Sequence, residues 1–199
     1  MRFLLATQNK GKAREIHSAL SPFNIEFESL LERDDLPEAL ESGTTFAENA
    51  RLKAEHYHHL TGLPTLAEDS GLVVDALGGK PGIHSARFAP TDKERIEKLL
   101  RMLGSLPSPL SRSAHFVSAL CLLLPDQLIE VAGEVHGELT QEPRGTHGFG
   151  YDPIFYYPPL GKTFAQMTVE EKNQISHRAQ ALEKLRQRLT FLQGNASIP

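Results

Sequence analysis

The sequence predicts an α/β fold built on a mixed sheet. Arg2–Ala6 is a short apolar run typical of a central strand covered on both faces, and a polar turn and a helical segment follow it. Apolar residues recur at helical spacing through Thr45–Leu60. Ser113–Leu124 and Leu128–Thr140 predict a long antiparallel hairpin with its turn at residues 125–127. Strands that alternate with helices indicate the α/β class, and the hairpin adds antiparallel strands to it.

The remaining elements are shorter or less regular. Ile25–Ser29 and Ile154–Tyr157 predict strands, and Thr91–Leu106 predicts an amphipathic helix. An apolar stripe from Ile175 to Leu192 predicts a long final helix, with Ser176, His177 and Arg178 in its first turn. Residues 107–109 are the only candidate boundary. We therefore expect one domain over residues 1–199, with a second lobe at roughly residues 110–160.

The composition is that of an ordinary soluble protein. The chain has 199 residues, of which 40% are hydrophobic and 23% charged, and no apolar run is long enough to span a membrane. The apolar run at the start is too short for a signal peptide, so we expect a cytoplasmic protein. A net charge of −4 argues against general affinity for nucleic acid. The single cysteine, Cys121, lies in an apolar run and is expected to be a buried thiol.

The most informative stretch is Thr65–Gly71, in which apolar residues run directly into Glu68, Asp69 and Ser70. It predicts a short buried strand that delivers its acidic side chains to the edge of the sheet, where ligands bind in open α/β folds. Paired carboxylates there suit Mg²⁺ and a phosphate substrate. The alternative is an acidic turn, because Asp, Ser and Gly are common turn residues.

Three other features favour a phosphate ligand. The turn Thr7–Lys12 lies between a strand and a helix, where backbone N–H groups and lysines can hold phosphate; it lacks the Walker A spacing, and a simple tight turn is the alternative. Lys53 falls on the inward face of its helix, where it needs an anion unless it snorkels to solvent. Glu41, just before that helix, could face a metal. Basic residues at the start of the final helix, His177 and Arg178, hint at an anionic or polar ligand.

A glycine-framed aromatic residue completes the set of candidates. Phe149 lies between Gly148 and Gly150 and could form a flat platform on which a base stacks. The alternative is a loop that packs on its own core.

Together these motifs resemble the inosine/xanthosine triphosphate pyrophosphatases, the Ham1-like family. The resemblance runs in family order over nearly the whole chain. Thr7–Lys12 resembles T-x-N-x-x-K, and Glu41–Ala50 with Lys53-Ala54 resembles E-x-G-x-T-F-x-E-N-A-x-x-K-A. The other matching segments are Glu68–Gly71, Pro81–Arg87, Gly148–Pro153 and Ser176–Arg178. Glu68 departs from the pattern, because many bacterial members carry a second Asp there.

The resemblance implies an elongated mixed α/β sheet flanked by helices, with two lobes and a central substrate cleft, usually in a homodimer. It implies Mg²⁺-dependent hydrolysis of ITP, dITP and XTP to the monophosphate and pyrophosphate. The catalytic residues would be Asp69 and Lys53, and the metal ligands Asp69, Glu41 and Glu68. The substrate-binding residues would be Thr7, Gln8, Asn9, Lys10, Gly11, Lys12, Ser70, Phe149, Gly150, Tyr151, Asp152, Lys172, His177 and Arg178.

These roles agree with the chemistry, because attack on the α-phosphorus needs neutralised charge and an oriented water. Two other functions stay open at this point. One is a pyrophosphatase that prefers modified pyrimidine nucleotides, and the other is a nucleotide-binding sensor without turnover.

Overall fold

The structure, a computed structural model, describes residues 2–23, 25–104 and 112–195. Within them, the strands are β1 (Arg2–Ala6), β2 (Glu26–Ser29), β3 (Thr65–Val74), β4 (Ser113–Leu124), β5 (Gln127–Leu139), β6 (Phe155–Tyr157) and β7 (Lys162–Thr163). The α-helices are α1 (Lys10–Leu20), α2 (Phe46–Thr61), α3 (Asp92–Gly104), α4 (Val169–Ile175) and α5 (His177–Asn195). Short 3₁₀ turns connect several of them.

The described strands form one mixed sheet in the order β2-β1-β3-β4-β5-β6-β7. β1 pairs in parallel with both β2 and β3, whereas β6 pairs antiparallel with β5 and β7. The neighbours β4 and β5 are joined by the two residues Pro125 and Asp126, a connection so short that the strands must run antiparallel. The mixed α/β class and the hairpin are therefore confirmed.

The chain divides into two compact units, each with its own core. Unit 1 comprises the described residues of Met1–Asp69, Ser118–Gly133 and His177–Pro199, and unit 2 those of Ser70–Val117 and Glu134–Ser176. The candidate boundary at residues 107–109 lies outside the described residues, and the lobe expected at residues 110–160 stays a prediction.

Unit 1 buries both faces of its part of the sheet. Phe3 and Leu5 of β1 pack with α1 and α5, whereas Leu4 and Ala6 pack on the opposite face with α2. Because successive side chains of a strand point to opposite faces, a strand buried on both faces needs a continuous apolar run. This explains the composition of β1 and confirms its prediction as a central strand.

Unit 2 packs around a cluster of aromatic rings. Phe116 of β4 lies with its ring centroid 4.6 Å from that of Phe155 and 5.8 Å from that of Phe164. Leu99 of α3 and Ile154 are fully buried in the same cluster. This core supports the loop that carries Phe149.

Three predicted boundaries were wrong. α1 begins at Lys10, three residues earlier than expected, because the side chain of Asn9 caps it. β3 runs for ten residues, so the acidic pair lies inside a strand rather than at its end. The final helix, α5, begins at His177, two residues later than the expected start at Ile175, because Ser176 adopts an extended conformation after the additional short helix α4.

Candidate functional site

The two adjacent carboxylates of β3 lie on opposite faces of the sheet. Leu66 packs on the face covered by α1 and α5, and Ala67 on the face covered by α2. Continuing the alternation, Glu68 shares the face of Leu66, and Asp69 that of Ala67. β1 pairs with β3 only as far as Ala67, so both acids lie just beyond the carboxyl end of β1. The prediction of an acidic pair at the end of its own strand was therefore wrong, because the two acids lie within β3 and on its opposite faces.

Glu68 belongs to a buried ionic cluster. Its carboxylate accepts hydrogen bonds from Nε of Arg178 at 2.8 and 3.1 Å and from Oγ of Ser118 at 2.6 Å. The ammonium of Lys12 lies 3.7 Å from Oε2 of Glu68, and Nη1 of Arg178 donates to the carboxylate of Glu15. Arg178 is only 1% exposed. Two cations and two anions thus compensate one another between β3, α1 and α5.

The charges of this cluster decide its protonation. Burial acts to raise the pKa of Glu68, but the positive charges of Arg178 and Lys12, with hydrogen bonds from Arg178 and Ser118, hold it well below its usual value. Burial lowers the pKa of Lys12, with Glu68 opposing that shift. Burial acts to lower the pKa of Arg178, but the charges and hydrogen bonds of Glu68 and Glu15 outweigh the effect of burial, and the pKa of Arg178 is raised. Glu68 is therefore an anion matched to the two cations.

Asp69 lies among residues of α2 and of the segment that precedes it. Nδ2 of Asn49 is 3.4 Å from Oδ2 of Asp69. Nζ of Lys53 donates to the backbone oxygen of Glu68 at 3.1 Å and lies 2.5 Å from Oε1 of Glu41. The inward lysine predicted from helical spacing therefore meets an anion, Glu41.

Asp69 is electrostatically unlike Glu68. Burial raises the pKa of Asp69, the charges of Lys53 and Lys12 partly offset that rise, and the charge of Glu41 adds to it. A buried carboxylate with a like charge nearby is stabilised by any cation that both can bind. Asp69 and Glu41 are consequently the carboxylates best suited to share one.

A magnesium ion fits a donor set of this size. In the described parts of the chain, no cluster of three or more His, Cys, Asp or Glu side chains has the geometry to hold a metal. Mg²⁺ needs no such cage, since it is commonly held by one or two carboxylates together with water and substrate phosphates. Asp69 and Glu41 could supply these carboxylates, whereas the oxygens of Glu68 accept hydrogen bonds from Arg178 and Ser118.

The predicted phosphate turn is a helix cap. Oδ1 of Asn9 accepts hydrogen bonds from the backbone N–H groups of Gly11 at 2.8 Å and Lys12 at 3.1 Å. Oγ1 of Thr7 accepts one from the N–H of Asn9 at 3.2 Å. Gln8 and Lys10 are exposed. The first turn of α1 contains no acidic residue, so its positive end is free of a built-in negative charge.

In unit 2, the loop around Phe149 is held by the carboxylate of Asp152. Oδ2 of Asp152 accepts hydrogen bonds from the backbone N–H of Phe149 at 3.0 Å and from Nζ of Lys172 at 2.6 Å. The same ammonium lies 4.9 Å from the ring centroid of Phe149, a cation–π distance. Gly148 has a φ of 77°, and a Cβ there would lie 2.0 Å from Oδ2 of Asp152, so only glycine fits. Phe149, Asp152 and Lys172 therefore form one arrangement.

The surroundings of this loop fix it further. The N–H of Gly150 donates to Asp92 of α3 at 2.8 Å, and the hydroxyl of Tyr151 donates to the backbone oxygen of Ser85 at 3.0 Å. Burial raises the pKa of Tyr151, which makes it a neutral anchor. A cavity of about 480 Å³ lies within unit 2 between α3 and this loop, and Phe149 is part of its lining.

The structure distributes the candidate residues over the two units. Lys12, Glu41, Lys53, Glu68, Asp69 and Arg178 interact with one another within unit 1. His177 is the first residue of α5 and is buried in the same unit, and half-buried Ser70 begins unit 2.

Two contributors were missed from sequence, Glu15 and Asn49. Asn49 precedes Lys53 by four residues on the same helix face, a spacing that could have identified it. Glu15 carries no local signal, because its partner lies on α5.

Known proteins resemble this chain over nearly its full length. The family model described as the Ham1 family matches residues 3–188. A dITP/XTP pyrophosphatase of Symbiobacterium thermophilum is 49% identical to this chain over 193 residues, and the match covers 96% of each chain. A dITP/XTP pyrophosphatase of Geobacillus kaustophilus is 50% identical over 186 residues, and the match covers 92% of this chain and 91% of that one. Among solved structures, a HAM1 protein from Coxiella burnetii superposes with a TM-score of 0.87 at 43% identity, covering 96% of this chain and 98% of that one. The Ham1 protein of Staphylococcus aureus superposes with a TM-score of 0.84 at 39% identity, covering 98% of this chain and 100% of that one.

The helices give no sign of a membrane-spanning segment. Within the residues that the structure describes, none combines the length and the apolar character that crossing a bilayer requires.

Proposed function

Because the chain belongs to the Ham1 family, we propose that it is a nucleoside-triphosphate pyrophosphatase acting on the non-canonical purine nucleotides ITP, dITP and XTP. Its products are the nucleoside monophosphate and pyrophosphate. The observation that carries the proposal is the similarity, over nearly the full length, to proteins named dITP/XTP pyrophosphatases. Carboxylates and lysines that could serve such a reaction, Asp69, Glu41 and Lys53, interact within unit 1 and support the proposal.

In the proposed reaction, a water oxygen bonds to the α-phosphorus and the bond from that phosphorus to the α–β bridging oxygen breaks. Pyrophosphate leaves with the electron pair of that bond. Asp69 orients the water and takes up its proton. Lys53 and Lys12 provide positive charge for the phosphates. A magnesium ion, held by Asp69 and Glu41, would supply further neutralisation of the triphosphate when bound.

We assign Glu68 and Arg178 to a structural ion pair, in which Glu68 also holds Lys12, rather than to binding the metal and the purine base. Both are fully buried and paired with oppositely charged groups. Replacing either contact by a ligand would leave a buried charge uncompensated, which is costly. This narrows the metal set expected from the sequence to Asp69 and Glu41.

Phe149 is the proposed stacking surface for the purine, with Asp152 and Lys172 beside it as polar partners. Lys172 is the proposed donor toward the 6-oxo group of hypoxanthine or xanthine, and His177 is a further proposed substrate contact. The 6-amino group of adenine would leave such donors unpaired, so ATP is rejected. The phosphates are proposed to lie at Thr7–Lys12, with Ser70 as a further substrate contact.

We also propose that the protein acts in the cytoplasm as a homodimer and without nucleic acid. The family resemblance supports the dimer, and the net charge of −4 supports the absence of a nucleic-acid partner. Size-exclusion chromatography with light scattering tests the dimer, which a monomeric mass would contradict.

A substrate panel tests the proposed reaction. Purified protein is incubated with Mg²⁺ and ITP, dITP, XTP, dUTP or dATP, and products are separated by anion-exchange chromatography with enzymatic detection of pyrophosphate. We expect IMP and pyrophosphate from ITP, loss of activity with EDTA, and little reaction of dATP. Accumulation of IDP with phosphate release would contradict the proposal, and preference for dUTP would indicate a pyrimidine enzyme.

Asp69→Asn tests the central residue of the mechanism. The variant is expected to bind ITP, measured by calorimetry, while its hydrolysis falls to background. A variant that retains kcat close to that of the wild type removes Asp69 from its role. A wild-type protein that binds ITP without turnover would indicate a nucleotide sensor.

A further inference from the structure

Asn49 lies at the centre of the Asp69 site, although sequence analysis gave it no role. It is fully buried on the inward face of α2, one turn before Lys53. Its side chain makes two hydrogen bonds. Oδ1 accepts from the backbone N–H of Gly43 at 2.8 Å, and Nδ2 donates to Oδ2 of Asp69 at 3.4 Å. A buried amide that joins two separate segments has little freedom to rotate.

The orientation of the amide follows from its partners. The N–H of Gly43 can only donate, so the oxygen of the Asn49 side chain must face it. The NH₂ group is then turned toward Asp69, whose carboxylate can only accept while ionised. The backbone at Gly43 therefore determines which end of Asn49 meets the catalytic carboxylate.

Gly43 approaches Asn49 closely. A Cβ at position 43 would lie 2.8 Å from Oδ1 of Asn49 and 2.7 Å from Cβ of Glu48. A residue with a side chain could not make this contact without displacing the segment. The glycine thus keeps residues 41–44 against the first turn of α2.

The same segment carries Glu41, the second carboxylate of the proposed metal pair. Glu41 is two residues before Gly43, and its Oε1 lies 2.5 Å from Nζ of Lys53. Lys53 in turn donates to the backbone oxygen of Glu68, the residue before Asp69. Glu41 and Asp69 come from distant parts of the sequence, and α2 joins both through Asn49 and Lys53.

We propose that Asn49 is a positioning residue, which fixes the carboxylate of Asp69 directly and that of Glu41 through Gly43. The proposal rests on the proposed function, because it concerns the same carboxylate pair. Asn49 itself contacts neither substrate nor metal. Its donated hydrogen bond takes one lone pair of Oδ2 and orients the other oxygen, Oδ1, for a cation or a water.

A purely structural role for Asn49 is the competing explanation, and the neighbouring Glu48 provides the matched control. Oε2 of Glu48 accepts hydrogen bonds from the N–H groups of Thr44 and Thr45 and from the hydroxyl of Thr44. Glu48 thereby fastens the same segment to the same turn of α2, as half of a capping box, but it does not touch Asp69. Glu48→Ala should weaken the segment without removing the donor at Asp69.

The test compares the wild type, Asn49→Leu and Glu48→Ala. Leucine fills a similar volume and makes neither hydrogen bond. Three quantities are measured: binding of Mn²⁺ without substrate by electron paramagnetic resonance, kcat and KM for ITP, and Tm. Mn²⁺ serves as the probe because it prefers the same oxygen ligands as Mg²⁺.

For Asn49→Leu we expect about a tenfold to hundredfold loss in Mn²⁺ affinity and in kcat, the range typical of residues that orient metal ligands, with KM for ITP changed by less than about threefold. Glu48→Ala is expected to lower Tm and to lose clearly less Mn²⁺ affinity than Asn49→Leu, because Asn49 still holds both Asp69 and the backbone of Gly43. If Asn49→Leu does not fold, Asn49→Ser, whose side chain is too short to reach both partners, gives the same comparison.

The proposal is overturned if Asn49→Leu binds Mn²⁺ as the wild type does, or if Glu48→Ala loses as much affinity as Asn49→Leu. It is also overturned if the wild type binds no Mn²⁺ in the absence of substrate. Failure of the proposed function looks different. In that case the wild type binds Mn²⁺ but releases no pyrophosphate from ITP, and the Mn²⁺ measurements still decide the role of Asn49.

Discussion

Replacing Arg178 by methionine should destabilise the protein more than most single substitutions. Arg178 is 1% exposed; its Nε–H is shared between the two carboxylate oxygens of Glu68, and its Nη1 donates to Glu15. Glu68 is itself 1% exposed, so water cannot replace the guanidinium as its partner. Removing one partner of a buried ion pair costs about 3–5 kcal/mol, because the other charge stays behind unpaired. For a chain of this length that corresponds to a decrease in Tm of roughly 6–20 °C.

Differential scanning calorimetry measures this decrease, and a second substitution identifies its cause. In Arg178→Met the anion of Glu68 keeps only Lys12, at 3.7 Å, and Ser118 as partners. Arg178→Met with Glu68→Gln removes both charges, so the double variant should be more stable than Arg178→Met alone. Arg186→Met on the same helix is the control, since Arg186 pairs with Glu183 at the surface, where a pair is worth about 0–1 kcal/mol.

The decrease in Tm caused by Arg178→Met should also depend on pH. Because the pKa of Glu68 is held below its unfolded value of about 4.3, its ion pairs stabilise the fold above that pH, and this stability is lost as the pH falls through the folded pKa. The pKa of Glu68 rises once Arg178 is absent, so the penalty of Arg178→Met should be largest near neutral pH and shrink toward pH 4. A decrease in Tm no larger than that of Arg186→Met, or a double variant less stable than the single one, would refute this reasoning.

Two further predictions concern single positions. Gly148→Ala should raise the KM for ITP and lower Tm, because the added Cβ would lie 2.0 Å from Oδ2 of Asp152. Gly150→Ala is the control: Gly150 also has a positive φ, of 62°, but an added Cβ would meet no atom within 4 Å, so the substitution should lower the free energy of unfolding by only about 1–2 kcal/mol. Equal effects of the two substitutions would show that the contact with Asp152 is not the cause. Burial raises the pKa of Cys121 to about 12, so at pH 8 Ellman's reagent should label the thiol only after unfolding in guanidinium, and rapid labelling of the native protein would contradict its burial.

The fold followed from the sequence where local pattern and tertiary context agree. The continuous apolar run of β1 predicts a strand buried on both faces, and the alternation of Glu130, Glu134 and Glu138 predicts the exposed side of β5. Such patterns are set by the covering layers and are visible in a single sequence.

The prediction of the fold from sequence failed where tertiary packing overrode the local conformational preference of the residues. Ser70 and Gly71 are residues that favour turns, but Leu72 and Val74 enter the core of unit 2 and keep the chain extended through them. The predicted apolar stripe begins at Ile175, which is the last residue of α4, so the sequence offers no sign that the chain is extended at Ser176 and that α5 begins only after it.

The residues of the candidate site were likewise predicted only in part from the sequence. Lys53 was identified because helical spacing placed it on an apolar face, where a lysine requires an anion. Glu15 lies on α1, and its partner Arg178 is 163 residues away, so no local pattern could connect them. The pairing of Glu68 with Asp69 was an error of geometry, since adjacency in sequence means separation across a strand.

The alignment of β1 with β3 determines which acid does which chemistry. Leu4 pairs with Thr65, Leu5 with Leu66 and Ala6 with Ala67, and this frame sends the longer acid toward the basic groups of α1 and α5 and the shorter one toward α2. Sliding β3 by one residue would exchange the two carboxylates between the ionic cluster and the proposed site at α2. A single residue inserted or deleted in Thr65–Ala67 would therefore change the surroundings of both carboxylates at once, even though Glu68 and Asp69 themselves were retained.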